Sequence, residues 1–441
     1  MAHLLGLFDD CLKSSKAEQT ELVCESEDFY LTRFADNVIH QNMGRKDHKV
    51  WCRAINGKKV GIATGNDITR DAINLLIEKA GELCKYQEEN PQFAGLVLSP
   101  RAAPSNGYID STAKYSAESR ATAVSIFGAI ASAEKLKVSG MFETSQTELI
   151  VANSLGTRQS GKASEAKISV TLSDDITRAG FAQAFARDVA QIDYEGIAIR
   201  AIQKAYMPQR PISLEPGKYT VILDPEAVAD FLLFLGFLGF GGKGLVTRRS
   251  FMAEKIGTQI MSDKISIYED PHNPEIEYIG FDYEGVPRRR VPLIEKGFGK
   301  GVVNDSYYGN LNGSGSTGNA LRPGNNFGPY PVAMTIEPGT QTLEQIMASC
   351  DRAIWITHFW YLNYLNPMMT TVTGTTRDGT FLIEDGKLKS PIVDMRVSQS
   401  MLEAFSNVEA ISGTRRLVPK YGTIMFVPAF KIANFNLTAK D

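Results

Sequence analysis

Apolar and polar positions alternate along the start of the chain in a way that favours paired strands. Asp28 to Asn42 reads as two strands around Asp36-Asn37, and Lys49 to Ala63 repeats the form around Asn56-Gly57. Asn-Gly between alternating runs marks a hairpin, because both turn residues accept positive φ. From Asp67 to Tyr86 the period changes to that of a helix, with Ile73, Leu76, Ile77, Ala80 and Leu83 on one face. Glu88 to Ser111, broken by Pro91, Pro100 and Pro104, reads as a loop. A helix is expected over Ala117 to Leu136 and strands over Gly140 to Ala152 and Ala166 to Leu172, where Lys167-Ile-Ser-Val-Thr-Leu172 alternates. A helical pattern is expected again from Ile176 to Ala205.

Pro208 and Pro211 interrupt that pattern, which places a domain boundary there: residues 1–207 form an N-terminal domain and 212–441 a C-terminal one. Beyond it, a strand from Gly217 to Leu223 runs into a very apolar helix opened by Asp224-Pro225-Glu226. Asp224 suits the N-cap, Pro225 the first helical position, and Glu226 the positive end of the helix dipole. The rest is short β-like runs and Gly-rich connections, including a Gly- and Asn-rich tract from Gly297 to Gly328 that is too long for an ordinary loop and is therefore functional or an interface. The fold class is α+β in two domains: an α/β N-terminal domain with antiparallel hairpins and a mainly β C-terminal domain. No internal repeat and no heptad pattern is visible.

With 441 residues the chain exceeds one ordinary core, and 43% hydrophobic against 22% charged residues suits a globular protein. A formal charge of -3 offers no footprint for nucleic acid. The start, Met1 to Asp10, is not that of a signal peptide, and the longest apolar run, Phe231 to Phe240, is about half of a bilayer span of roughly twenty residues. Cys11, Cys24, Cys52, Cys84 and Cys350 are scattered and odd in number, as expected in a reducing cytoplasm. The expectation is a cytoplasmic protein without membrane or nucleic-acid partners.

Several stretches could carry chemistry, and each has a plainer reading. Gly239 to Gly244 fits G-x-G-x-x-G but follows a helix, where glycine serves as a stop rather than a phosphate cradle. His3, His40, His48, His272 and His358 include no pair at i, i+4 or i, i+5. His358, eight residues after Cys350, reads as a packed histidine, and a Cys-His nucleophile there is the lesser reading. Asp282 with Glu284, and Asp378, Glu384 and Asp385, fit turns better than paired catalytic carboxylates. Arg288, Arg289 and Arg290 form a short basic run, read as a solvated or subunit-facing edge.

Taken in order, Leu31 to Gln41, Phe281-Asp-Tyr-Glu-Gly-Val-Pro287, Val291-Pro-Leu-Ile-Glu-Lys-Gly297, Ser316-Thr-Gly-Asn-Ala320, Leu382-Ile-Glu-Asp-Gly-Lys387 and Lys420-Tyr-Gly422 resemble the TldD/PmbA family over nearly the whole chain. The resemblance implies a two-domain subunit of a cytosolic zinc metallopeptidase assembly that acts on unfolded or modified peptides. Its TldD-type subunits carry His-Glu-x-x-x-His and a downstream cysteine ligand. Histidines at i, i+5 stand about 140° apart on an ideal helix, so such a site requires a distorted helix. Carried onto this chain, the two histidine positions are Pro225 and Asp230, the glutamate is Glu226, and the cysteine position is Val418.

A catalytic zinc wants three protein ligands and an open position, and Pro and Val supply none. The resemblance therefore implies a metal-free PmbA/TldE-type subunit with a degenerate site at Pro225, Glu226, Asp230 and Val418. It would hold no cofactor of its own and pair with a TldD-type subunit that carries the zinc. The alternative is a stand-alone regulatory protein, possibly a homodimer, as the older family name of gyrase modulator suggests. A metal-independent hydrolase built on Cys350 or His358 is a third reading.

Overall fold

The computed structural model describes residues 2–174, 179–205 and 210–438. Helix α1 (Ala2–Lys13) leads into strands β1 (Gln19–Ala35), β2 (Val38–Asn56) and β3 (Lys59–Gly65), and α2 (Arg70–Lys85) follows. After an irregular stretch and the single turn α3 (Asp110–Ala113), the same order returns: α4 (Ala117–Ala133), β4 (Lys137–Asn153), β5 (Arg158–Ser173), β6 (Ala179–Ala186) and α5 (Tyr194–Ala205). The six strands form one antiparallel sheet in the order β3-β2-β1-β4-β5-β6. Two helix–three-strand–helix units thus meet at the β1–β4 seam. This is a structural repeat that the residues do not advertise.

The expected hairpins form, with Asp36 and Asn37 both at positive φ and Gly57 at φ 58°. The helix expected from Ile176 to Ala205 does not. Ile176 lies outside the described residues, and Ala179 to Ala186 is an edge strand paired with β5, so α5 begins only at Tyr194. Alanine favours a helix by tenths of a kcal/mol per residue, roughly. Here that preference yields to a ladder with β5 and to burial of Ala182, Phe185 and Ala186.

The helices cover one face of the sheet. Phe8, Ile73 and Ile77 pack there with Leu22 and Cys24, while Phe127, Ile197 and Ala198 pack with Ile168 and Val170. Period two turns Val23, Leu149, Val151 and Ala163 the other way, against Ile279 and Phe281 of the C-terminal part.

That part opens with β7 (Gly217–Leu223), α6 (Pro225–Gly239), α7 (Gly242–Val246), β8 (Ile267–Glu269), β9 (Val291–Glu295), β10 (Phe298–Gly299), α8 (Ser306–Asn312) and β11 (Ala333–Ile336). It continues with α9 (Leu343–Ala348), β12 (Arg352–Ile356), β13 (Phe359–Asn366), β14 (Thr371–Thr376), β15 (Thr380–Glu384), β16 (Lys387–Pro391), β17 (Arg396–Ser400), α10 (Met401–Ser406), β18 (Val408–Lys420) and β19 (Thr423–Thr438). Its strands form a second, mixed sheet in which β7 lies between β19 and β12. The fold is α+β with two domains, the second mainly β. Of the residues expected to mark the boundary, Pro208 lies outside the described ones, and Pro211 precedes the bridge of Ile212 to Ile392.

The Gly- and Asn-rich tract is an interface between the two parts. Asn90 Nδ2 donates to the Tyr307 hydroxyl (3.2 Å), and Arg322 reaches Glu25 (2.6 Å).

Candidate functional site

Strand β7 runs through the middle of the second sheet and delivers the chain to α6, so the first turn of that helix is fixed and buried. Asp224 holds the N-cap position with an extended backbone, but its side chain makes no cap bond. It is taken instead by cations: Asp224 Oδ1 lies 2.6 Å from an Arg416 guanidinium nitrogen, and Oδ2 lies 3.4 Å from Lys204 Nζ of α5. Arg416 also reaches Glu226, at 3.3 Å, and Lys420 Nζ lies 2.6 Å from Asp230 Oδ1.

The spacing explains the match. Glu226 and Asp230, four apart, share one face of α6. Arg416, Val418 and Lys420, two apart, share one face of β18, which packs on that helix. Val418 is therefore wholly buried between the two cations.

Three carboxylates thus meet three cations, and the electrostatics follow from that balance. Burial pushes the Asp224 carboxyl upward, but Arg416 and Lys204 outweigh it and hold the group below its ordinary range. Asp230 stays above its ordinary range, because burial prevails over the Lys420 ammonium. The Arg416 guanidinium is driven upward by Asp224 and Glu226 against its own burial.

The N-terminal part closes the site. Lys204 also donates to the Phe181 carbonyl (3.0 Å), and the Phe181 ring lies 4.7 Å from the ring of His358. His358 faces Asp378 at 3.6 Å and is depressed to about 3 by burial, with Lys204 and Lys420 adding to the effect.

This donor set does not suit a zinc ion. Pro225 and Val418 offer no ligand atom, and both remaining carboxylates already hold an arginine or a lysine. Among the described residues, no three His, Cys, Asp or Glu side chains are placed to hold a metal.

The structure separates the other candidates. Cys350 packs with Ile222, Ile346 and Phe381 and donates its thiol to the Ile346 carbonyl, whereas His358 faces Phe181 and Asp378. The glycines from Gly239 to Gly244 serve packing: a Cβ at Gly239 would meet the Phe251 ring at 2.0 Å, and one at Gly242 the Asn304 amide at 1.9 Å.

Asp282 does fix a turn, accepting from the backbone of Glu284 and Val286, but it is buried. Its neighbour Glu284 accepts from Ser306 and lies 3.7 Å from Arg53 of the first sheet. Glu384 pairs with Lys387 in the β15–β16 register, and Asp385 at φ 50° begins the turn between them. Arg288 is not a solvated edge. It is buried and donates to the Ile279 and Gly318 carbonyls, while Arg289 and Arg290 are exposed.

Lys204 and Arg416 are not among the sequence candidates, and Lys420 enters only as part of the closing Lys420-Tyr-Gly422 stretch. The available signal was the two-residue spacing of Arg416, Val418 and Lys420 in a strand opposite two carboxylates four apart in a helix.

Known proteins resemble the chain in both parts. Residues 216–439 match the family described as PmbA/TldA metallopeptidase C-terminal domain, and residues 20–84 match PmbA/TldA metallopeptidase domain 1. A metalloprotease of Methanothermobacter thermautotrophicus is 22% identical over 234 residues, covering 51% of this chain and 49% of its own length. A zinc metalloprotease TldD homolog of Saccharolobus solfataricus is 26% identical over 209 residues, covering 44% of each chain. The chain thus spans about half the length of these two relatives. In fold, the crystal structure of TldE from Thermococcus kodakarensis superposes with a TM-score of 0.91 at 23% identity, covering 98% of this chain and 100% of that one.

Proposed function

The chain belongs to the PmbA/TldD family, and on that premise we propose that it is the metal-free, PmbA/TldE-like subunit of a two-subunit zinc metalloprotease acting on unfolded or modified peptides in the cytoplasm. The observation that carries this reading is the seating of Arg416 and Lys420 on Glu226 and Asp230. Fixed side-chain cations stand where a metal-binding relative would need free ligands. A glutamate whose carboxylate is engaged by a guanidinium is not placed to serve as the general base of a zinc hydrolase. Zinc and the hydrolytic step then belong to a TldD-type partner. This chain's part is to complete the assembly and present the peptide. Burial of all five cysteines as free thiols accords with a reducing compartment, and among the described residues no helix is long and apolar enough to cross a membrane.

The test is reconstitution. Purified alone, the chain should cleave no unfolded peptide. Mixed with a His-Glu-x-x-x-His subunit of the same cell, it should form a stable complex whose peptidase activity is abolished by chelator. Chelator-sensitive cleavage by the chain alone, or a self-dimer that ignores such a subunit, would overturn the reading.

A further inference from the structure

The strand face that turns away from the helices carries more charge than a domain seam needs. A cavity of 610 Å³ lies between that face and the C-terminal domain, and one of 230 Å³ adjoins it along the turn between β18 and β19. The first has the size of a ligand site. Its floor presents four carboxylates from three adjacent strands: Glu25 and Glu27 of β1, Glu143 of β4 and Glu165 of β5. Its walls include the rings of Tyr278, Phe327 and Tyr330.

Three of the four carboxylates are matched. Glu25 holds Arg322 at 2.6 Å, Glu27 holds Arg45, and Glu165 holds Lys167 at 2.5 Å and Arg187 at 3.0 Å. Glu143 has no hydrogen-bond or ion-pair partner among the described residues. Its cross-strand neighbour Lys167 is the very ammonium that Glu165 holds. Burial raises the Glu143 carboxyl, so a cation brought to it would be held in a partly desolvated place.

Glu143 lines both cavities and therefore stands where they join. The larger cavity adds the rings of Tyr278, Phe327 and Tyr330, so an unused anionic acceptor and aromatic walls share one groove. A peptide segment supplies both complements: a cationic side chain and an apolar neighbour.

We propose that this groove binds an extended peptide segment, seating a lysine or arginine side chain on Glu143 and the adjacent apolar side chain among Tyr278, Phe327 and Tyr330. The assignment rests on the peptide-handling role proposed above and adds its selectivity: the subunit prefers segments with a basic residue beside an apolar one.

The experiment uses the full chain alone, without partner or zinc, so its outcome is independent of whether a protease assembles. Fluorescence anisotropy compares the labelled hexapeptide Gly-Phe-Lys-Gly-Ser-Gly with its norleucine counterpart and with N-acetyl-lysine amide as competitor. The lysine peptide should bind at least about tenfold more tightly than the norleucine peptide, as a charge-assisted contact in a half-buried place supplies. Glu143→Gln should remove that preference while leaving the norleucine peptide and the thermal midpoint unchanged, and Glu143→Asp should keep part of it. Equal binding of the two peptides, binding of neither, or a preference that survives Glu143→Gln overturns the proposal. So does competition by the free lysine amide at the peptide's own affinity, since the groove would then recognise an amine and no peptide.

Discussion

Lys420 and Asp230 carry the account at the scale of single residues, because each is tolerable in the interior only with the other. Lys420→Met leaves a carboxylate without its cation and should cost about 2–4 kcal/mol in urea unfolding, somewhat under the roughly 3–5 kcal/mol of a fully buried pair because Lys420 is partly exposed. Adding Asp230→Asn should restore about half of that; a double variant no better than the single would mean that the pair contributes little. His358 yields a test in pH. Its imidazole is held neutral to about pH 3 against an ordinary value of 6.5, chiefly by burial. The unfolded chain therefore binds the proton first, and this group's contribution to stability is present above pH 6.5 and is lost as pH falls from there toward about 3. His358→Phe, which keeps a ring on Phe181, should flatten the stability profile within that window relative to the unmodified chain. Parallel profiles would refute the assigned cause. Little of this was legible beforehand. That Pro225 and Val418 could not bind metal followed from residue type, but which cations would settle on Glu226 and Asp230 depends on a strand about 190 residues away in sequence.

Among the elements, most of the helices and strands that the periodicity predicted are present: α2, α4 and the turns at Asp36-Asn37 and Asn56-Gly57 lie within a few residues of expectation, but β1 starts at Gln19, before the expected Asp28, and β2 runs unbroken from Val38 to Asn56 where the sequence predicts two separate strands. The failure at Ala179 to Ala186 and the unseen repeat of the N-terminal domain have one cause, which is that both depend on contacts between elements. Gly61 in β3 and Gly180 in β6 occupy matching places in the two units. A Cβ at Gly61 would stand 2.0 Å from the Ala80 carbonyl of α2, and one at Gly180 would stand 2.0 Å from the Ala201 carbonyl of α5. Each helix approaches its edge strand through a missing side chain. Gly180→Ala and Gly61→Ala should each destabilise the fold by about 1–3 kcal/mol in chemical denaturation, in the range of overpacking. Glycine 81, which has open space on the face of α2, should accept alanine without loss. Equal effects at all three positions would deny that these contacts set the helix positions.

For the whole molecule, the seam between the domains is polar and spread along the sheet. Arg53 joins Glu21 to Glu284, Arg187 donates to the Ile276 carbonyl, and Lys204 of α5 reaches Asp224 at the head of α6. The ion-pair cluster at Asp224 is one end of this seam and the groove proposed at Glu143 is another part of it, so residues of both domains meet at each. Family likeness in the C-terminal motifs made the two-domain α+β plan readable from the residues. The seam was not readable, since its pairs join residues up to about 300 positions apart. On the proposed reading, Arg416 and Lys420 stand on Glu226 and Asp230 where a metal would need free ligands. Zinc per chain, measured by elemental mass spectrometry on untagged protein equilibrated with zinc and then desalted, tests it most directly. The account predicts a content indistinguishable from zero, whereas about one zinc per chain, retained through desalting, would contradict it.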